Sequence, residues 1–224
     1  MLVRDIRAQL IELYRNQKFM TIGNNKTGAQ TVEIINACFL ADEPTIFGSL
    51  NEEWAKRELQ WYESMSLNVD DIPGGPPQIW SQVASSKREI NSNYGWCIYG
   101  FQNGMQYQNV LTELDRDSTS RRAVMIYTRP SMHVDFNRDG MQDFICTNTV
   151  QYFIREEALV TKVDMRSNDA VFGYNNDFHW QKHVRDQLLG DLRYTYPNLQ
   201  EGPIFWNAGS LHVYSRHFKY LEIT

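Results

Sequence analysis

Apolar residues recur every three to four positions through the first sixteen residues, with charged residues between them. This spacing gathers the apolar side chains on one face and predicts an amphipathic helix over residues 2–16. The pattern then changes to β-branched and apolar residues over 31–40, which favours a strand. Between these two elements, residues 23–28 are typical of a turn, and they contribute one cation, Lys26.

Three more helices are predicted further along the chain. Asn51 suits the N-cap of the first, which contains Glu58 among apolar positions. Helical spacing also indicates helices over 105–114 and 176–192. Residues 72–77, with the sequence Ile-Pro-Gly-Gly-Pro-Pro, break regular structure, but the stretch is short for a domain boundary.

Four further segments have the composition of strands, being rich in β-branched, aliphatic and aromatic residues. They are residues 123–128, 144–154, 158–165 and 203–218. The charged turn at 155–157 predicts that the second and third form a hairpin. Together with the helices, these segments predict an α/β (α+β) protein with a large mixed β-sheet flanked by helices.

Length and charge restrict the organisation and the ligands. A chain of 224 residues with 42% hydrophobic composition can bury a full core, and we expect a single domain over residues 1–224. The net charge of −5 creates no global field that would hold nucleic acid. An anionic ligand must therefore meet a local cluster of Arg and Lys, which favours a small phosphorylated molecule over a polymer.

The cysteines and the absence of long apolar runs bear on location. Cys38, Cys97 and Cys146 are odd in number, far apart in sequence and without a Cys-x-x-Cys pair. This argues against a disulfide framework or a structural zinc site and favours a reducing compartment. No apolar run reaches transmembrane length, and the N-terminus lacks the pattern of a signal peptide. We expect a cytoplasmic protein without membrane association.

The candidate chemistry is concentrated at Cys146 and in the run from Arg166 to Asp177. A lone Cys in an apolar strand is most often a small core residue, but the hairpin can bring Arg166 opposite Cys146, where positive charge would favour a thiolate. Arg121 and Arg122 are either a solvated pair or part of a phosphate clamp with Arg166, Ser167 and Lys26. His212 and His217 have no acidic partner pattern, so we expect no metal site.

Several motifs resemble those of the thymidylate synthases along nearly the whole chain. They are Glu58, Trp80, Tyr94-Gly95, Ser120-Arg121-Arg122, the segment around Cys146, Val150-Gln151-Tyr152-Phe153, Met165-Arg166-Ser167-Asn168-Asp169, Gly173 and Leu211-His212-Val213-Tyr214. Within this superfamily the sequence is similar to the bacteriophage deoxycytidylate hydroxymethylases. The runs that carry this closer likeness are 83–87, 90–96, 126–132 and 209–218.

The resemblance implies a fold, a reaction and a role for each site residue. It implies a thymidylate synthase-like fold whose sheet face packs in a homodimer with shared active sites. Cys146 would attack carbon 6 of the pyrimidine, and carbon 5 would then take a one-carbon unit from methylenetetrahydrofolate. The proton of carbon 5 would leave through water held near Tyr94 and Glu58, and Glu58 would orient or activate the water that adds to the ring's exocyclic methylene. Lys26, Arg121, Arg122, Arg166 and Ser167 would bind phosphate, His212 and Tyr214 the sugar, and Trp80 and Asp169 the pterin.

Asp177 is the informative departure, because thymidylate synthases have Asn at this position. An amide matches the carbonyl oxygen and N–H of uracil, whereas a carboxylate can accept from the exocyclic amine of cytosine and share a proton with its ring nitrogen. The residue therefore favours dCMP over dUMP. The alternative is an Asp that turns a loop after Asn175-Asn176. Thr147, Lys26 and Met165 also depart from the usual thymidylate synthase residues and are compatible with the hydroxymethylase branch.

Three functions remain in view at this point. Hydroxymethylation of dCMP, giving 5-hydroxymethyl-dCMP and tetrahydrofolate without a metal, is the first. Methylation of dUMP or dCMP is the enzymatic alternative. The third is a non-catalytic member of a nucleotide-synthesis complex, and association with other deoxynucleotide-synthesis enzymes is compatible with all three.

Overall fold

The computed structural model describes residues 1–22 and 29–222. Lys26 lies outside these described residues. Within them, seven strands form one sheet. They are β1 Met20–Ile22, β2 Ala29–Leu40, β3 Val124–Ile126, β4 Thr147–Arg155, β5 Ala158–Met165, β6 Asn168–Asp169 and β7 Gln200–Tyr214.

The helices lie between and beside these strands. They are α1 Val3–Arg15, α2 Glu52–Ser64, α3 Gln78–Val83, α4 Tyr94–Tyr99, α5 Gln106–Arg116, α6 Met132–Asp135 and α7 Gly173–Leu192. Short 3₁₀ segments follow at Val69–Asp71, Phe101–Asn103, Arg138–Gly140 and Ser215–Tyr220. Of the helices in the described part of the chain, none is both long and apolar enough to span a membrane.

The sheet is mixed, with the strand order β1-β2-β7-β5-β4-β3, and β6 pairs with β7. β7 runs parallel to β5 and to β6, and the other neighbouring pairs are antiparallel. The prediction of a large mixed sheet flanked by helices is thus confirmed. The 15-residue β7 is central, because it pairs with both β2 and β5.

The predicted hairpin is confirmed as β4 and β5, whose residues pair from Arg155↔Ala158 to Thr147↔Met165. Glu156 and Glu157 form its turn with φ of 51° and 58°, the left-handed values that match the twist of a two-residue hairpin loop. The prediction that Cys146 lies within the strand is wrong by one residue. β4 begins at Thr147, so Cys146 occupies the turn-like segment immediately before it.

Several element boundaries differ from those predicted. The last strand ends at Tyr214, and the segment predicted to continue it to residue 218 is a 3₁₀ helix. The strand predicted over 123–128 is only Val124–Ile126. Sequence periodicity did not indicate β1, β6, α3, α4 or α6, because elements of two to six residues are shorter than the window over which a period is visible.

Apolar side chains from the helices and one face of the sheet form the core. Trp206 and Tyr152 from the strands and Trp180 from α7 are among the largest fully buried side chains. The helix α2 begins at the predicted cap, where the Asn51 side chain accepts from the Trp54 N–H at 3.0 Å. This cap fixes the start of the helix, and its buried face then carries Glu58 toward the interior.

Candidate active site

Cys146 and Arg166 meet where β4 begins and β5 ends. The Arg166 backbone N–H donates to the Cys146 carbonyl at 2.8 Å. The Arg166 guanidinium donates to the carbonyls of Phe144 at 2.6 Å and Ile145 at 2.9 Å, and its Nη2 lies 3.5 Å from the Cys146 Sγ. These bonds hold a fixed positive charge beside the thiol.

Burial has the larger effect on the Cys146 thiol. It raises the pKa of Cys146 to about 11, although Arg166 acts in the opposite direction and the carboxyls of Asp177 and Asp143 add to the rise. The predicted proximity of Arg166 to Cys146 is confirmed, and its positive charge acts to lower the pKa of the thiol, but burial outweighs this effect in the free protein. At neutral pH the residue is a thiol, and its proton must leave when the sulfur forms a bond.

Asp177 stands inside α7, where it is held by Asn168 of β6. The Asn168 Nδ2 donates to the Asp177 Oδ2 at 2.7 Å, and the Tyr94 hydroxyl is a second hydrogen-bonding neighbour of this carboxyl. Burial raises the pKa of Asp177 to about 7 against the lowering effect of these bonds. Because Asp177 belongs to a helix, the alternative that it turns a loop is wrong.

Tyr94 reaches the site because α4 packs closely on the end of α2. A Cβ at Gly95 would lie 1.8 Å from the Tyr62 carbonyl oxygen, so this approach requires glycine. The Tyr94 ring stacks on Tyr62 with a centroid distance of 5.3 Å, and its hydroxyl also has a hydrogen-bonding partner in Thr147. Tyr94 therefore lies between Asp177 and the segment that carries Cys146.

Glu58 reaches the same site from α2. Its side chain is 6% exposed and hydrogen-bonds with the side chains of Tyr62 and Trp80. Burial, together with the nearby Asp177 carboxyl, raises the pKa of Glu58 to about 8. Near neutral pH, Glu58 and Asp177 are thus two carboxyl groups close to their own pKa values, which suits proton transfer.

The raised pKa of Glu58 gives a stability prediction. A carboxyl with a folded pKa above its unfolded value binds more protons in the native state, so stability falls as pH rises from the unfolded pKa toward about 8. We expect Glu58→Gln to raise the melting temperature at pH 8.5 by roughly 5 °C and to change it little at pH 4.5. Thermal unfolding of both proteins at the two pH values measures this, and an equal shift at both would contradict it.

β7 brings His212 and Tyr214 beside Asp169, which pairs with His212 across β6 and β7. The rings of His212 and Tyr214 meet edge to face at 4.7 Å. Burial lowers the pKa of His212, and the Ser210 Oγ lies 3.2 Å from its Nδ1, so the imidazole is neutral at pH 7. Neutral His212 and the Tyr214 hydroxyl are suitable hydrogen-bonding partners for an uncharged hydroxyl group.

Asp169 has a structural task in addition to any contact with a ligand. Its carboxylate accepts from the backbone N–H groups of Val171, Phe172 and Gly173 at 3.2, 3.1 and 3.4 Å, which caps the start of α7. A carboxylate offers about four acceptor positions, so one remains for another donor. Trp80 is half-buried, and its ring centroid lies 5.9 Å from that of Trp61. Its indole offers a flat apolar surface close to Glu58, with which it forms a hydrogen bond.

The structure does not bring Arg121 and Arg122 together with Cys146. They precede Val124, which pairs with Gln151, whereas Cys146 precedes the start of β4. The two positions lie at opposite ends of β4, roughly 20 Å apart at about 3.3 Å per residue. Arg122 is 69% exposed and pairs with Glu113 at 2.7 Å. Ser167 follows Arg166, is half-buried, and lies just beyond the end of β5 that pairs with the start of β4.

Three residues to which the sequence assigned no role also shape the site. Asn168 binds Asp177, Tyr62 contacts Glu58 and Tyr94, and Asp143 lies buried behind Cys146, where its carboxylate accepts from the N–H groups of Asn91 and Ser92. Each acts through another side chain from a distant segment. Within the described ranges, no cluster of three His, Cys, Asp or Glu side chains is arranged to hold a metal ion.

The profile of the family described as Thymidylate synthase matches residues 21–224. The chain is 56% identical over 220 residues to the deoxycytidylate 5-hydroxymethyltransferases of Enterobacteria phages T6 and T4, which covers 97% of this chain and 88% of each relative. It is 25% identical over 209 residues to thymidylate synthase 1 of Bacillus subtilis strain 168, covering 88% of this chain and 71% of that protein.

A solved structure, thermostable thymidylate synthase A from Bacillus subtilis, superposes with a TM-score of 0.67 and 21% sequence identity. The superposition covers 96% of this chain and 82% of that one. It confirms the predicted fold, since the matched part includes nearly the whole chain.

Proposed function

The chain belongs to the thymidylate synthase family, and from this premise we propose that it is a deoxycytidylate 5-hydroxymethyltransferase. It transfers a one-carbon unit from methylenetetrahydrofolate to carbon 5 of dCMP and adds water, giving 5-hydroxymethyl-dCMP and tetrahydrofolate. Relatives at 56% identity that carry this name support the assignment. The whole chain acts as one catalytic domain, in keeping with the family match over 21–224.

The observation that carries the choice of cytosine is the buried Asp177 carboxyl, whose charge acts on the Cys146 thiol. Because its pKa is about 7, Asp177 can donate a proton to the ring nitrogen and accept a hydrogen bond from the exocyclic amine. Uracil presents a carbonyl oxygen and an N–H at the same positions, so its pattern of donor and acceptor is the reverse of that of cytosine. Such a polar mismatch in a buried site discriminates by roughly 10⁴-fold.

The reaction begins with Cys146 and Asp177 acting on opposite sides of the ring. The thiol proton passes to solvent water as the sulfur bonds to carbon 6, and the Asp177 proton moves toward the ring nitrogen, which keeps negative charge off the base. Arg166, 3.5 Å from the sulfur, stabilises the thiolate character that develops. The ring then has enamine character, and its carbon 5 is nucleophilic.

Methylenetetrahydrofolate, when bound, supplies a carbon at the oxidation level of formaldehyde. The residues present fit its pterin, because Trp80 offers a flat surface and Asp169 retains one acceptor position beyond the α7 cap. Glu58 and Tyr94 are placed to receive the proton that leaves carbon 5. Glu58 then orients the water that adds to the exocyclic methylene of the pyrimidine, and departure of the Cys146 sulfur releases the product.

Hydration and methylation differ in what happens to the folate, and this difference tests the proposal. Release of tritium from carbon 5 accompanies both reactions, but only methylation oxidises the folate to dihydrofolate. With dCMP and methylenetetrahydrofolate we expect tritium release without the absorbance change of dihydrofolate formation. Stoichiometric dihydrofolate, or release from dUMP alone, would overturn the assignment in favour of a thymidylate synthase reaction.

We further propose a homodimer with shared active sites. Arg121 and Arg122 lie too far from Cys146 along β4 to serve their own site, and they resemble the pair that binds phosphate in the partner's site. Lys26, Arg166 and Ser167 complete the phosphate site in this proposal, and His212 and Tyr214 bind the sugar hydroxyl. Such a two-fold contact creates two identical sites, each built from both subunits.

Mixing two inactive variants tests the sharing. Cys146→Ala lacks the nucleophile, and the double variant Arg121→Ala/Arg122→Ala lacks the donated cations. In a heterodimer one site carries both defects and the other carries neither, so we expect about a quarter of the wild-type activity after random exchange of equal amounts. Activity is assayed alongside a mass measurement of heterodimers. Heterodimers without recovered activity would contradict sharing.

We place the reaction in the cytoplasm, where its nucleotide and folate substrates are found. Cys38, Cys97 and Cys146 are all free, as a reducing compartment requires. In this compartment we propose association with other deoxynucleotide-synthesis enzymes, and we expect the protein to bind neither nucleic acid nor membranes.

A further inference from the structure

We propose that Asn168 is the positioning residue that sets which oxygen of Asp177 reads the cytosine ring, and that the Trp206 indole holds Asn168 in the orientation required. This inference rests on the proposed function, because it specifies how the same site distinguishes its base. It concerns a chain of three side chains from β7, β6 and α7, of which the preceding mechanism uses only Asp177.

The Trp206 indole fixes the orientation of the Asn168 amide. The Trp206 Nε1 donates to the Asn168 Oδ1 at 3.2 Å, and an indole nitrogen can only donate. The amide therefore presents its oxygen to Trp206 and its nitrogen to the other side. Both residues are buried, with Asn168 3% exposed and Trp206 1% exposed, so water does not replace these bonds.

The fixed amide in turn distinguishes the two oxygens of Asp177. The Asn168 Nδ2 donates to the Asp177 Oδ2 at 2.7 Å, which makes Oδ2 a permanent acceptor. When Asp177 is neutral, the proton belongs on Oδ1, because the carbonyl-like oxygen of a carboxylic acid is the better acceptor. Oδ1 is then the atom that exchanges a proton with the cytosine ring nitrogen.

The packing around the pair leaves little room for another arrangement. A Cβ at Gly173 would lie 3.2 Å from the Asp169 Cβ, 3.4 Å from the Asn168 Nδ2 and 3.9 Å from the Asp177 Oδ2. Glycine at the start of α7 thus lets the Asn168 amide reach the Asp177 carboxylate across the first turn of the helix. The hydrogen bond between Asn168 and Asp177 and the first turn of α7 therefore depend on the same glycine.

Five titratable groups face Asp177 from the surrounding elements. They are Glu58 and Tyr62 of α2, Tyr94 of α4, Cys146 before β4 and Asp169 of β6. Between pH 6.5 and 9, Glu58 is the group whose titration overlaps that of Asp177, since its pKa is about 8. A test of Asn168 therefore uses a Glu58→Gln background, in which this second titration is removed.

Asn168 has a defined effect on the pH dependence of dCMP binding. Neutral cytosine needs the proton of Asp177, so affinity falls as pH rises through the pKa of that carboxyl, by tenfold per pH unit. The Asn168 hydrogen bond stabilises the carboxylate and keeps this pKa lower than burial alone would set it. Removing the Asn168 side-chain amide should therefore raise the pH at which affinity for dCMP is lost.

The experiment is a calorimetric titration of dCMP, without folate, into full-length Glu58→Gln protein from pH 6.5 to 9.5. We expect Asn168→Ala to move the midpoint upward by about one pH unit. Trp206→Phe, which keeps a ring but frees the amide to rotate, moves it in the same direction by a smaller amount. Asn175→Ala is the matched control, since Asn175 is as buried as Asn168, lies on the same helix as Asp177 and donates to the carbonyls of Phe47 and Val171.

Each outcome of this titration decides something. A midpoint that Asn168→Ala leaves in place overturns the inference, and so does an unchanged midpoint in Trp206→Phe. An equal upward shift in Asn175→Ala overturns it as well, because a general loosening of the site would then be the cause. Affinity that is independent of pH in the Glu58→Gln parent overturns the role of Asp177 itself, so the two failures are distinguishable.

Discussion

Cys146→Ser is expected to lower turnover of dCMP by on the order of 10⁴-fold or more. The hydroxyl is a far weaker nucleophile than sulfur, and no general base lies within the contacts described for residue 146. Substrate binding should change little, because the phosphate, sugar and base contacts are made by other residues. The measurement compares kcat with the dissociation constant for dCMP in the wild-type and variant proteins.

Cys38→Ser provides the control for this substitution. Cys38 is an exposed cysteine on β2 whose Sγ contacts Asn207 at 3.0 Å, away from Arg166 and Asp177. We expect its activity to match that of the wild type. A Cys146→Ser protein that retains turnover, while folded and able to bind dCMP, would rule out Cys146 as the nucleophile that bonds to carbon 6.

Asp177→Asn is expected to reverse the choice of base. The Asn168 Nδ2 would still require an acceptor, so the oxygen of the new amide turns toward Asn168 and its NH₂ group faces the base. This group can donate to the carbonyl oxygen of uracil but meets the amine of cytosine with a second donor. We expect kcat/KM for dCMP to fall by roughly 10⁴-fold and that for dUMP to rise.

The ratio of kcat/KM values for the two nucleotides, measured in competition, reports this reversal directly. Asn176→Asp is a matched control, since it changes an amide to a carboxyl at the adjacent position of α7 without replacing the group that contacts Asn168. An Asp177→Asn protein that keeps its preference for dCMP would place the discrimination elsewhere in the pocket.

The parts of the fold that the sequence predicted are those with a long regular pattern. The hairpin of β4 and β5 combines apolar strands with a short charged turn, so both its existence and its contact between Cys146 and Arg166 followed from local features. The helix α4 has six residues, too few for a period to be visible. Its position depends on Gly95 meeting the Tyr62 carbonyl, a contact between distant segments.

The site shows the same division between local and non-local information. Cys146, Asp177 and Glu58 were recognised by motif, but motifs do not report how burial and charge combine. The pKa of Cys146 is raised because burial outweighs Arg166, which only the packed structure reveals. Asn168 lies in the same motif as Arg166, but nothing in the sequence indicates its role. Its contact with Asp177 forms only when β6 and α7 pack together.

The central claim is that water, and not hydride, completes the reaction on a dCMP ring held by Cys146 and Asp177. Its most direct test is the mass of the nucleotide formed from dCMP and methylenetetrahydrofolate in water enriched in ¹⁸O. We predict 5-hydroxymethyl-dCMP that carries one heavy oxygen in its new hydroxyl group. A 5-methyl product, or a hydroxymethyl product without the heavy oxygen, would contradict the account.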